Sequence, residues 1–98
     1  MGQLNPEQLK PYAKKYIWWK TPVEAIRQPE RVISQVMDIG DYEDTLSLRK
    51  LIGDDVLRGV LSHAEAGWFN VRSWHYWHYK LGLSGLDNVP ELPTRNFA

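Results

Sequence analysis

The sequence predicts an all-α fold: a compact cluster of about five to six short helices with an extended C-terminal tail. Helix caps and stops punctuate the chain at short intervals, as at Asn5-Pro6, Thr21-Pro22, Gly40-Asp41, Gly53-Asp54 and Gly82. Between them, apolar residues recur at helical spacing. No four-residue run shows the alternating, β-branched pattern of a strand. The expected organisation is a helical domain over residues 1–83 and a tail over residues 84–98.

Each element follows from local chemistry. Asn5 caps a short helix with Pro6 at its first position, expected to run to about Leu9. Pro11 restarts the chain, and Tyr12 to Trp19 is expected to form a helical turn or two. Thr21-Pro22-Val23-Glu24 reads as a capping box. Pro29 ends that helix, because a residue before proline avoids the helical region, and it opens the next. There Val32, Ile33, Val36 and Met37 form an apolar stripe, and Gly40 is the stop. Asp41 caps a helix whose apolar face is Leu46, Leu48, Leu51 and Ile52, and Gly53 stops it. Asp54 is expected to cap another, with the stripe Val56, Leu57, Val60 and Leu61, closing at Ala66-Gly67. Joints as short as Gly40-Asp41 and Gly53-Asp54 force neighbouring helices to pack steeply or antiparallel. Asn70 caps the last helix, Val71 to Leu81, and Gly82 ends it. Beyond lie Val89 and Leu92, among residues that disfavour helix. That segment either lies along the helical body or stays free until a partner orders it.

Composition narrows the function classes. Ninety-eight residues bury one core and leave no room for a second. Hydrophobic residues at 43% and charged residues at 24% are ordinary for a globular chain, which excludes disorder throughout. The absence of Cys excludes disulfides, thiol nucleophiles and cysteine zinc sites. The N-terminus has no apolar run of a secretory signal, and no stretch reaches the roughly 18 apolar residues of a membrane span. A bacterial cytoplasm is therefore the expected setting, with no membrane contact. Net charge is zero. The charges are nevertheless segregated: Lys10 to Arg31 carries a net +4 and Asp38 to Asp55 a net −4. Nucleic-acid binding usually needs a strong basic excess, which the whole chain lacks.

Five Trp and five Tyr are many for so short a chain, and they fit a dense core, a sticky surface or both. Their densest run is Arg72-Ser73-Trp74-His75-Tyr76-Trp77-His78-Tyr79-Lys80. On a helix Trp74, Trp77, His78 and Leu81 share one face, while Arg72, His75, Tyr76 and Tyr79 lie towards the other. One face enters the core, and rings left at the surface have the composition of a binding site. The candidate partner-binding residues are Arg72, Trp74, His75, Tyr76, His78 and Tyr79, joined by Arg95 of the tail. The rival reading packs most of these rings internally. His75 and His78 are spaced to approach one metal ion, but helical zinc sites need further ligands and none stands at a motif spacing. No metal and no cofactor are expected. The second aromatic cluster is Tyr16-Ile17-Trp18-Trp19-Lys20, whose adjacent tryptophans cannot share a helix face. Phosphate loops, nucleophile elbows and paired His-Glu zinc motifs are missing, so no catalytic residue is expected.

Several stretches together carry a resemblance. These are Tyr16-Ile17-Trp18-Trp19, Val36 to Asp44 with its Gly-Asp-x-x-Asp turn, and Leu48-Arg49-Lys50-Leu51-Ile52-Gly53. The last are Arg72-Ser73-Trp74-His75-Tyr76-Trp77 and Pro90, Pro93, Thr94 and Arg95. Over roughly Tyr12 to Arg95 the chain resembles a domain-of-unknown-function family of short bacterial proteins, often encoded beside AbiEii-type nucleotidyltransferase toxins. The resemblance implies a non-enzymatic, antitoxin-like protein partner of such a toxin in a toxin–antitoxin or defence pair. The alternative is a DNA-binding regulator of helix-turn-helix type, built from the tightly joined helices between Pro29 and Ala64. Its recognition segment, Asp54 to Ala64, holds only Arg58 and His63 as potential cations.

Overall fold

A computed structural model describes residues 5–84 and 88–93. Among them the chain forms one 3₁₀ turn, Pro6–Leu9, six α-helices and no strand. The helices are α1 (Lys10–Tyr16), α2 (Pro22–Ala25), α3 (Pro29–Ile39), α4 (Tyr42–Ile52), α5 (Asp54–Ser62) and α6 (Val71–Lys80). Cap chemistry sets most of their starts. The side chains of Asn5, Thr21, Asp41 and Asn70 accept from backbone N–H groups of Glu7, Glu24, Asp44 and Ser73. At Thr21 the box is closed differently from expectation: the hydroxyl donates to Glu24 Oε1 at 2.9 Å.

The fold is organised around α3, which packs against all five other α-helices. Its sequence explains that role. Val32, Ile33, Ser34, Val36 and Met37 are all buried, an arc too wide for one partner. Ser34 sits in that arc without penalty because its hydroxyl donates to the Arg31 carbonyl at 2.8 Å. Leu9, Ala13, Leu48, Leu57, Val60 and Leu61 complete the centre from the surrounding helices.

Three local readings are corrected. Asp54 does not cap α5: Gly53 holds that position, with φ 85°, and offers no side chain. Asp54 is drawn away by Arg49, whose Nε and Nη2 donate to its two oxygens at 3.0 and 2.9 Å. α5 stops at Ser62, before Ala66-Gly67, and the released loop carries Phe69 into the core. α1 ends at Tyr16, so it is Ile17, 2% exposed, that reaches the core, and Trp18 and Trp19 turn outward.

The segregated charges meet at one place. Lys15 on α1 donates to Asp44 at 2.7 Å and Asp41 at 3.2 Å, at the start of α4. The Tyr16 hydroxyl donates to Asp44 at 2.5 Å and accepts from the Asp41 N–H. The Lys15 ammonium, followed by the Tyr16 hydroxyl, holds the Asp44 carboxyl below its ordinary pKa. Arg49 does the same to Asp54. A carboxyl whose folded pKa is depressed adds stability above its unfolded value near 4, and that stability is lost as pH falls through the folded pKa. Asp44→Asn should therefore melt below the parent at pH 6. The two melting curves, followed by circular dichroism, should converge as pH falls through and below the depressed pKa of Asp44. A gap that persists in acid would show that charge is not what Asp44 contributes.

Candidate functional site

Helix α6 divides as its period requires. Ser73, Trp74, Trp77, His78 and the following Leu81 are buried, while Arg72, His75, Tyr76 and Tyr79 are exposed. Two of the expected partner-binding residues thus lie inside. Trp74 is 3% exposed, and its indole N–H donates to the Pro90 carbonyl at 2.8 Å. His78 packs on Trp74 with ring centroids 4.2 Å apart, its Nδ1 2.8 Å from the Trp74 carbonyl. These two rings hold the C-terminal segment, with Val89 and Leu92 packed against the core, and offer no surface to a partner. Arg95 lies outside the described residues. His75 keeps its Nδ1 2.9 Å from the Val71 carbonyl on the exposed side, away from His78. Among the described residues no three His, Asp or Glu side chains gather as a metal-binding group.

The outward residues of α6 have a neighbour from another element. Tyr42, in the first turn of α4, is 76% exposed, and Tyr76 is 53% exposed. Together they border a groove of about 340 Å³ between α6 and the α3–α4 joint, with Met37, Asp38, Arg72 and Trp77 also in its lining. Past the two phenols a small hollow of about 50 Å³ continues towards Arg49 and Lys80. Tyr76 stands edge-on to the buried Trp77, centroids 5.2 Å apart and planes at 88°, so its ring is braced from behind.

The floor of the groove is also fixed. Asp38 Oδ1 accepts from the Asn70 N–H at 3.0 Å, the Asn70 amide at 2.9 Å and the Ser73 hydroxyl at 2.5 Å. That one oxygen ties the end of α3 to the start of α6. What this lining can do chemically is stack, hydrogen-bond through two phenols and receive an acidic group at Arg72. Arg72 has no ion pair among the described residues.

Sequence reasoning missed Tyr42. The available signal was its place directly after the Asp41 cap, in the first turn of α4. Its partner Tyr76 is remote in the chain, and no local pattern pairs them. The helix-turn-helix reading meets a different fact: Arg58, on α5, donates to the Leu81 carbonyl at 2.9 Å and to Asp55 at 2.7 Å. Its Nε and Nη1 are engaged within the domain. No helix of the described residues is long and apolar enough to cross a membrane. Comparison with protein-family models, curated proteins and solved structures gives no match.

Proposed function

We propose that this chain is a non-enzymatic protein-binding module, acting in the cytoplasm through the groove between Tyr42 and Tyr76. The observation that carries the reading is the pair of exposed phenols from α4 and α6 over a floor tied together by Asp38, Asn70 and Ser73, with Arg72 in the same lining. Tyr and Arg are enriched among the few residues that carry most of the binding energy at protein interfaces. The antitoxin-like role is the finer form of the proposal and draws on the sequence resemblance, which nominates an AbiEii-type nucleotidyltransferase as first partner to test.

The test is coexpression of the tagged chain with that nucleotidyltransferase, followed by size-exclusion chromatography with light scattering at micromolar concentration. Co-elution at fixed stoichiometry is expected. Tyr42→Ala and Tyr76→Ala should each weaken the complex about tenfold or more, as interface anchors do. Because both side chains are largely exposed, neither change should move the melting temperature by more than a few degrees. Separate elution sinks the nucleotidyltransferase role. Co-elution untouched by both tyrosine changes sinks the groove.

A further inference from the structure

A second groove lies at the opposite end of α3 and has no part in that reading. Its volume is about 480 Å³, within the range of small-molecule sites. The α1–α2 connection supplies Trp19 and Lys20, α3 supplies Arg31, and the loop before α6 supplies Trp68. The buried side chains of Ile17 and Val32 lie against it and make that end apolar.

Arg31 is the informative residue. It is half-buried, and its guanidinium lies 5.9 Å from the centre of the Trp68 ring. Nη1 is held by the Ser34 hydroxyl at 3.2 Å and the Gln35 amide oxygen at 3.0 Å. Nε and Nη2 have no hydrogen bond among the described residues. No buried side-chain nitrogen is left unpaired there, so these two nitrogens open onto solvent. No carboxylate comes within ion-pair distance of Arg31 among the described residues. Burial lowers its pKa, and the field of Asp38, two turns further along α3, offsets this only in part. A partly desolvated arginine is normally paired, because losing water without gaining a counter-charge is costly. Here the Nε–Nη2 edge, the one that suits a planar anion bidentately, is the edge left free.

The groove also limits its ligand. Trp19 is 47% exposed and offers a flat apolar surface beside that of Trp68. Glu30 and Glu65 also stand in the lining, which disfavours a polyanion. We propose that this groove is a binding site for a small aromatic anion. Its phosphate or carboxylate would sit on Nε and Nη2 of Arg31 with Lys20 near, and its ring against the indoles of Trp19 and Trp68.

The test is titration of the full chain with 5′-AMP, indole-3-acetate, adenosine and inorganic phosphate, reading the tryptophan indole N–H resonances by NMR. At least one aromatic anion should shift the Trp19 and Trp68 signals saturably, with Kd below about 1 mM, and adenosine and phosphate should bind at least about tenfold more weakly. Saturation by 5′-AMP assigns the anion as phosphate, and by indole-3-acetate as carboxylate. Arg31→Gln should weaken binding about tenfold or more, and Arg31→Lys should restore part of it, since charge returns without the bidentate edge. Trp19→Ala, at an exposed position, should weaken binding while leaving the spectrum unchanged away from Trp18 and the groove. Arg27→Gln, outside the groove, should have no effect. Absence of saturation by either aromatic anion, or saturation indifferent to both Arg31 and Trp19, overturns the proposal.

Discussion

Trp77→Ala should be the most damaging single change in the molecule. Trp77 is 3% exposed and lies at the contact of α6 with α3. Its indole N–H donates to the Met37 carbonyl at 2.7 Å. That carbonyl belongs to the last turn of α3, where helical geometry leaves acceptors without an N–H four residues on. The N–H that would have served it, on Asp41, is satisfied elsewhere, by the Tyr16 hydroxyl. Two aromatic residues thus complete the α3 terminus from two other parts of the chain. Truncation removes a large buried ring, at about 3–5 kcal/mol, and strands a carbonyl, at about 1–3 kcal/mol more. Against a total stability of about 5–15 kcal/mol for a domain of this size, that is half or more of the total at the lower end of the range. Urea denaturation followed by far-ultraviolet circular dichroism measures the loss. Trp77→Phe separates the two terms, because it keeps most of the ring and loses the donor. An Ala variant within about 1 kcal/mol of the parent would mean that α6 is not anchored through this residue.

The groove between Tyr42 and Tyr76 depends on the same anchor, since Trp77 braces Tyr76 from behind. A surface change and a core change near one site therefore have opposite signatures. Tyr76→Ala should weaken binding at nearly constant stability, whereas Trp77→Ala should remove both together.

What could be read from the sequence was what is decided within a helical turn. Thr21, Asp41 and Asn70 cap where their short polar side chains stand before an apolar stripe, because the cap needs only its own next three residues. The partition of α6 was equally legible, since a fixed period sorts Trp74 and Trp77 from Arg72 and Tyr76. What could not be read was decided by a distant or competing partner. Asp54 has the chemistry of a cap, but Arg49 stands across the Gly53 joint and takes both oxygens. The exit of α5 depends on where Phe69 finds the core, and the outward turn of Trp18 and Trp19 on Ile17 filling the available space. Trp74 and His78 have the composition of a binding surface. The returning segment, whose Pro90 carbonyl takes the Trp74 indole N–H, is what the period of α6 does not reveal. The groove at Arg31 was illegible for the same reason: its two tryptophans come from separate loops, and nothing local marks an arginine as lacking a carboxylate.

Gly40→Ala should also destabilise the domain markedly, for a reason unlike that of an ordinary helix-stop glycine. Its φ of −66° and ψ of 149° suit any residue, so backbone freedom does not explain it. The constraint is space. A Cβ at this position would press on the Val36 carbonyl oxygen, far inside contact distance, and would meet Val36 Cγ1 at 3.0 Å. That carbonyl already accepts the Gly40 N–H at 2.7 Å, and Val36 is fully buried, so neither atom has room to retreat. The joint between α3 and α4 must open instead. Opening it disturbs the Asp41 cap and the Tyr16 bond to the Asp41 N–H, both within one residue of the change. Overpacking costs about 1–3 kcal/mol and a weakened cap about 1 more, which together should lower the melting temperature by roughly 10–20 °C. Gly53→Ala is the informative comparison. There φ is 85° and no atom lies within 4 Å of a built Cβ, so the cost is backbone strain alone, about 1–3 kcal/mol. The two variants should differ in where the damage falls. Hydrogen exchange at the Asp41 and Asp44 amides should accelerate in Gly40→Ala beyond what lost global stability accounts for, and should track global stability in Gly53→Ala. Unchanged exchange at the α3–α4 joint in Gly40→Ala would mean that the joint accommodates a methyl group without opening.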